Sequence, residues 1–108
     1  MAFRQVYSIQ ILSLAPALPL NTVVVPDGVR IIVRDVDAVN VSGSTGDQLI
    51  FWNAAGGAIF SVRQAHEING LNWQWQGRQV FNPGENIIFQ VVSGTWDIQA
   101  SGYELTLT

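Results

Sequence analysis

The sequence contains no cysteine and no lysine. Without cysteine, a disulfide-stapled scaffold, a thiolate metal site and a cysteine nucleophile are all excluded. Charged residues make up 12% of the chain and the net charge is -3, whereas a soluble domain usually carries about 25% charged residues. The chain therefore lacks the basic surface that nucleic-acid binding requires, and we predict no nucleic-acid partner. A surface this poor in charge suits burial against neighbouring proteins.

Catalytic and ligand-binding motifs are also scarce. His66 is the single histidine, so a histidine-rich metal cluster is impossible, and no nucleophile-elbow motif supports a Ser-His-Asp arrangement. The "GSTGD" segment at 43–47 lacks the lysine that follows a phosphate-cradling loop. We predict that the chain is not an enzyme and that it holds no cofactor and no metal.

No segment approaches the roughly 20 continuous apolar residues of a transmembrane helix, so we predict no membrane partner. The first 20 residues imitate a signal peptide, with an arginine, an apolar run and an "APA" sequence. However, Gln5 and Gln10 interrupt the apolar run, and Phe3, Tyr7 and Ile9 fall on one parity, which predicts a β-strand.

The residues that are abundant predict an all-β fold. Short runs of valine, isoleucine, threonine and aromatic residues alternate with Gly, Pro, Asn and Ser, a pattern typical of sandwiches and barrels. A length of 108 residues and an apolar content of 48% suffice for one hydrophobic core. We predict one domain, residues 1–108, forming a jelly-roll-like β-sandwich of eight or nine strands. Because a closed barrel shows the same alternation, that alternative stays open.

Turn sequences locate several strand boundaries. "VPDG" at 25–28 predicts a hairpin in which residues 22–25 pair with residues 29–33, and a shift of apolar parity predicts a bulge near Asp35. A second hairpin is expected across residues 54–57. Residues 49–52 are continuously apolar, as in a strand that is covered on both faces. The sequence Asn-Pro-Gly-Glu at 82–85 suits a type II turn leading into another hairpin, and Ser-Gly pairs at 93–94 and 101–102 predict strand breaks near the end.

Carboxylates are few and scattered. Asp35 and Asp37 lie two apart on a predicted strand, which directs both to one face, but two ligands do not make a calcium site. We expect them to pair with arginines or to face solvent. Glu85 and Glu104 are interpreted as exposed charges at strand ends.

Tryptophan is the informative residue type, with four in the chain. In "NWQWQGRQVFNPGE", Trp73 and Trp75 project to one side of a strand while glutamines project to the other. Three roles are open for this pair: part of the core, a protein-protein interface, or a platform for stacking against sugar rings. Arg78, which follows the pair, and Trp96 are further candidates for an interface or ligand contact, because aromatic residues and arginine anchor interfaces.

The order of three motifs resembles a known group of proteins. "VPDGVRIIVRDVDAVN", "WQGRQVFNPGENI" and "GTWDIQASGYELTL" occur in that order, and over roughly residues 25–108 the chain resembles small β-rich proteins of tailed bacteriophages, notably those of actinobacteria. The resemblance implies a non-enzymatic virion component, such as a capsid decoration, fibre or minor tail protein, which is present as a homo-oligomer and contacts other virion proteins.

The alternative hypothesis is a carbohydrate-binding or receptor-binding module at a tail or fibre tip. It would use Trp73, Trp75 or Trp96 to bind cell-surface polysaccharide.

Overall fold

The computed structural model describes residues 9–53, 57–66 and 71–106. Within them the chain forms eight β-strands and no helix. The strands are β1 (Ile9–Leu14), β2 (Leu20–Val24), β3 (Val29–Asn40), β4 (Gln48–Asn53), β5 (Gly57–Arg63), β6 (Leu71–Phe81), β7 (Asn86–Ser93) and β8 (Trp96–Thr106).

The strands form two antiparallel sheets of four strands each. Sheet I has the order β1-β8-β3-β6, and sheet II has the order β2-β7-β4-β5. Two four-stranded antiparallel sheets linked by crossing connections are the arrangement of a jelly roll. The predicted all-β, jelly-roll-like sandwich is confirmed, with eight strands.

The core lies between the sheets and follows from the alternation of side chains along each strand. Phe51 of β4 is at its centre: its ring stacks on Phe89 with 4.6 Å between centroids, and it meets the edge of Trp75 at 5.6 Å. Because Trp75 belongs to sheet I and the two phenylalanines belong to sheet II, these contacts join the sheets. The other buried apolar residues include Val33, Val36, Ala38, Leu49, Phe81, Ile87, Trp96 and Ile98.

The predicted hairpin between residues 22–25 and 29–33 is wrong. β2 pairs with β7 in sheet II, whereas β3 pairs with β6 and β8 in sheet I. The backbone of Val25 shows why: its N–H donates to the carbonyl of Glu85 at 3.0 Å, and its carbonyl accepts from the N–H of Gly84 at 2.9 Å. The turn at 26–28 therefore carries the chain from one sheet to the other.

The turn at 82–85 forms, but it does not close a hairpin. The N–H of Glu85 donates to the carbonyl of Asn82 at 3.0 Å, and Gly84 has a φ of 83°, as the third position of a type II turn requires. The turn joins β6 of sheet I to β7 of sheet II, so the expected hairpin is wrong. The pairing of β4 with β5 is confirmed, although residues 54–56 of its turn lie outside the described residues.

Two local expectations about β3 and β8 had different outcomes. The bulge near Asp35 is confirmed, because the register of β3 shifts between Val33 and Asp35 against both of its neighbours. The break at residues 101–102 is wrong, since β8 continues from Trp96 to Thr106. Gly102 is needed there for close approach: a Cβ atom would collide with the carbonyl of Ile32.

The predicted first strand is confirmed over Ile9–Leu14, and residues 3 and 7 lie outside the described residues.

Candidate functional site

The outer face of sheet II is the most unusual surface of the described chain, and we call it the apolar face. The strand registers place its outward side chains in rows that cross all four strands. One row is Leu20, Gln90, Ile50 and Ser61, and the next is Thr22, Ile88, Trp52 and Ala58. Among the described residues of this face, Arg63 at the end of β5 is the only charged one.

Several apolar side chains of this face are open to solvent. Leu20 is 59% exposed, Val24 is 60% exposed and Val92 is 51% exposed. The N–H of Val91 donates to the carbonyl of Pro19 at 2.9 Å, which brings Val92 beside the start of β2. The exposed residues thus gather on β2 and the adjoining end of β7. Contiguous exposed apolar surface is a mark of protein interaction sites.

The same face contains a half-buried tryptophan. Trp52 has a shielded indole N–H with no hydrogen-bond partner, and the described chain leaves one other indole, that of Trp73, in the same condition. Buried indole N–H groups usually have a partner. The sequence indicated that residues 49–52 are covered on both faces. The structure covers Leu49 and Phe51 completely but leaves Ile50 and Trp52 only half-buried.

The outer face of sheet I is polar over the half that contains the two aspartates, and we call this half the polar face. Asp35 lies beside Gln76, and Asp37 lies between Gln74 and Gln99. Both aspartates are directed to one face, as expected. Within the described residues, neither aspartate forms an ion pair. Of the two roles that were expected, facing solvent is therefore the one that the structure shows.

Trp73 and Trp75 point between the sheets and pack, half-buried, against the core. Their positions opposite Ala38 and Val36 in the register explain this direction, because both of those residues are buried. Of the three roles open to the pair, a place at the margin of the core is the one their contacts show. A sugar platform would need indole faces that are open to solvent.

The remaining two candidates lie apart from this pair. Trp96 is completely buried and its indole N–H donates to the carbonyl of Ser93 at 3.0 Å, so it is a core residue and cannot contact a ligand or partner in this conformation. Arg78 is exposed and lines a shallow depression with Arg34 and Asp35. The four residues singled out from the sequence therefore do not form one site.

A buried polar cluster at the loop between β3 and β4 was missed from the sequence. The carboxylate of Asp47 accepts hydrogen bonds from Ser42 Oγ at 2.7 Å, the N–H of Ser44 at 3.0 Å and Asn40 Nδ2 at 3.2 Å. Asn40 Nδ2 also donates to Gln64 Oε1 at 2.6 Å. The hydrogen bond from Ser42 is the main reason why the pKa of Asp47 lies below its ordinary value.

This cluster fastens the loop to the end of β5. Gln64 Nε2 donates to the carbonyls of Gly43 and His66 at 2.7 and 2.6 Å, and the backbone N–H of Gln64 donates to the carbonyl of Asp47 at 2.8 Å. Since the polar atoms are satisfied within the chain, the cluster has a structural role. The one feature of the sequence that pointed to this cluster was Asp47, which follows a Gly-Ser-Thr-Gly loop and precedes a strand.

Glu85 is less exposed than expected. It accepts hydrogen bonds from Asn53 Nδ2 at 2.7 Å and from the N–H of Asn82 at 2.8 Å. The bond from Asn53 is the main cause of a pKa below the ordinary value. Glu85 therefore joins the turn at 82–85 to the end of β4.

The described residues contain no group of three or more His, Cys, Asp or Glu side chains placed to hold a metal ion. His66 lies exposed in the loop after β5. In the part of the chain that the structure describes, no helix has the length and apolar character needed to cross a membrane.

Comparisons with known proteins give little that bears on function. No protein-family model and no curated protein matches the chain. Among solved structures, the core of the Drosophila protein NLP, described for its pentamer formation and histone binding, aligns with a TM-score of 0.43 and 10% identity. The alignment covers 94% of this chain and 98% of that chain. A likeness this weak carries no argument about what the chain does.

Proposed function

We propose that the chain is a structural protein that works by being held in an assembly, and that the apolar face is the surface through which copies or neighbours hold it. The observation that carries this proposal is the exposure of Leu20, Val24 and Val92 on a sheet face whose described residues include one charge, at its periphery. An isolated soluble subunit gains nothing from such a face, whereas an assembled one buries it.

The sequence pattern supports the same proposal. The apolar run at 49–52 is typical of a strand with both faces covered. Within the subunit, the core covers the inward residues Leu49 and Phe51. A neighbouring molecule packed against Ile50 and Trp52 would cover the outward face of the same strand. Burial of each exposed large aliphatic side chain contributes about 1.5–3 kcal/mol to association before the entropy losses are subtracted.

The assembly that we propose is the virion of a tailed bacteriophage, in which the chain is a capsid decoration or a minor tail protein present in several copies. The support for this part is the order of the three motifs described above. A carbohydrate-binding role has less support, because Trp96 is buried and Trp73 and Trp75 face the core.

The test of the assembly surface compares matched pairs of substitutions. Leu20→Lys with Val92→Lys places charges on the apolar face, and Gln74→Lys with Gln99→Lys places the same charges at exposed positions of the polar face, on either side of Asp37. Sedimentation velocity at micromolar concentration should show oligomers for the unaltered protein and the second pair, and monomers for the first pair. A strictly monomeric unaltered protein would contradict a homo-oligomer.

The test of the virion assignment is mass spectrometry and electron microscopy of purified particles of the encoding phage. The chain should be present in several copies per particle, with density against the apolar face. Its absence from purified particles would remove the virion assignment while leaving the sedimentation result unaffected.

A further inference from the structure

A cleft opens between the edge strands β1 and β2, where the two sheets separate. It has a volume of about 240 Å³, which is smaller than the roughly 300–1,000 Å³ of a typical small-molecule pocket. This size suits one side chain of a partner better than a drug-sized ligand. The apolar walls of the cleft include Ile9, Ile11, Val23, Val24 and Ile31, and Glu104 supplies a carboxylate at its edge.

Glu104 occupies an unusual position in β8. It lies opposite Ile31, a residue that is buried in the core, and it follows Trp96, Ile98 and Ala100 on the inward parity of the strand. An apolar residue would be expected at this register. The chain instead places a carboxylate there, at the opening of an apolar cleft.

The carboxylate of Glu104 has no hydrogen bond or ion pair within residues 9–53, 57–66 and 71–106. Among the residues that the structure describes, Glu104 is the one charged side chain lining the cleft. Glu104 is exposed at the mouth of the cleft, so a cation that reached it would meet a single unpaired carboxylate, while the apolar part of the same side chain would lie against the aliphatic walls. The ligand that fits has an unbranched apolar stem that ends in a compact positive charge.

We propose that this cleft receives a lysine side chain of another protein. Lysine combines a four-carbon apolar stem with a compact ammonium group, so the stem matches the isoleucine and valine walls and the ammonium group matches Glu104. Arginine also pairs with a carboxylate, often through two parallel hydrogen bonds, but its apolar stem is one methylene shorter and its planar head group is wider, so the aliphatic walls favour lysine. Because this chain contains no lysine, the partner is a different protein and not a second copy. Val24 belongs both to the apolar face and to the cleft. The two proposals are therefore tested at residues that they do not share, which are Leu20 and Val92 for the apolar face and Glu104 for the cleft.

The experiment is a titration of the full chain with Nα-acetyl-lysine methylamide, followed by the methyl NMR signals of the isoleucine and valine residues. Signals of Ile9, Ile11, Val23 and Val24 should shift and saturate in the millimolar range. The matched control ligand is the norleucine analogue, which keeps the stem and lacks the ammonium group. We expect it to bind at least tenfold more weakly.

Variants at Glu104 complete the test. Glu104→Gln should weaken lysine binding at least tenfold and leave norleucine binding unchanged, whereas Glu104→Asp, which keeps the charge, should retain part of the affinity. Equal responses to lysine and norleucine, a stronger response to capped arginine, or shifts confined to residues outside the cleft would each overturn the proposal. None of these outcomes affects the sedimentation test of the apolar face.

Discussion

The two outer faces of the sandwich are built from strands with the same alternation, yet their chemistry differs. The polar face carries Asp35 and Asp37 among glutamines, whereas the apolar face carries Leu20 and Ile88 and has Arg63 only at its margin. Alternation requires only that one side of each strand differ from the other.

The outward-facing side chains of the two sheets therefore differ in polarity, although both sheets have the same alternation of inward and outward positions. On the polar face the outward side chains suit water. On the apolar face, valine, leucine and isoleucine stand at outward positions, and Val24 is 60% exposed. The apolar face is therefore where we expect a neighbour.

The largest predicted effect compares the two sides of β4. Phe51→Ala removes the ring that joins the sheets, and should lower the free energy of unfolding by about 3–5 kcal/mol. Ile50→Ala, on the apolar face of the same strand, should cost about 1 kcal/mol in the monomer, because Ile50 is half-buried. Urea unfolding measures both. Equal costs would mean that Ile50 is packed as tightly as the core, and the apolar face would then not be available to a partner.

The second effect concerns the loop that joins the sheets. Asp47→Ala leaves Ser42 Oγ and Asn40 Nδ2 without the carboxylate, and should cost about 2–3 kcal/mol, since buried donors lose their acceptor. Asp27→Ala, at an exposed turn position, is the matched control and should change stability by less than about 0.5 kcal/mol. If thermal unfolding gave similar midpoints for the two variants, the polar cluster would not hold the loop.

The third effect is a loss of stability in acid. The folded state lowers the pKa of Asp47 below its ordinary value of 3.8 and that of Glu85 below 4.5. The unfolded chain therefore binds protons more readily, so this stabilisation is present above the ordinary values and is lost as the pH falls below them. Urea midpoints measured from pH 7 to pH 3 should fall most steeply below about pH 4.5. Asp47→Asn should flatten this fall, and an unchanged slope in that variant would exclude Asp47 as its source.

The smallest effect on stability comes from exchanging residue types between the faces. Leu20→Gln on the apolar face and Gln99→Leu on the polar face should each change the free energy of unfolding by less than about 0.5 kcal/mol, since both side chains are exposed. Association should respond differently: Leu20→Gln should weaken it and Gln99→Leu should leave it unchanged. Equal weakening by both, in sedimentation velocity, would remove the distinction between the faces.

Much of the fold was predictable from local patterns. The strands around Phe51, the bulge near Asp35 and the type II turn ending at Glu85 all follow from alternation and turn chemistry, which depend on neighbours in the sequence. The pairing of strands was not predictable. A turn at 26–28 can close a hairpin or cross between sheets, and the backbone of Val25 finds its partners near Glu85, about sixty residues away.

The candidate surface was predictable only in part. Continuous apolarity at 49–52 indicated cover on both faces, but which strands share the outer face with Ile50 depends on the sheet order. The polar cluster gave almost no signal, because Asn40, Asp47 and Gln64 are brought together by the ends of three strands. Trp96 was misjudged, since aromatic residues serve the core and interfaces equally well.

By itself, the sequence determined an all-β domain, the inward or outward direction of most side chains along each strand, and the absence of thiol chemistry. These properties depend on composition and on the two-residue period of a strand. Only the tertiary structure decided which strands pair and that Trp73 and Trp75 lie at the margin of the core. It also placed Leu20 and Val24 on one face, and Glu104 at the edge of an apolar cleft. Each of these depends on contacts between distant segments, which no local pattern specifies.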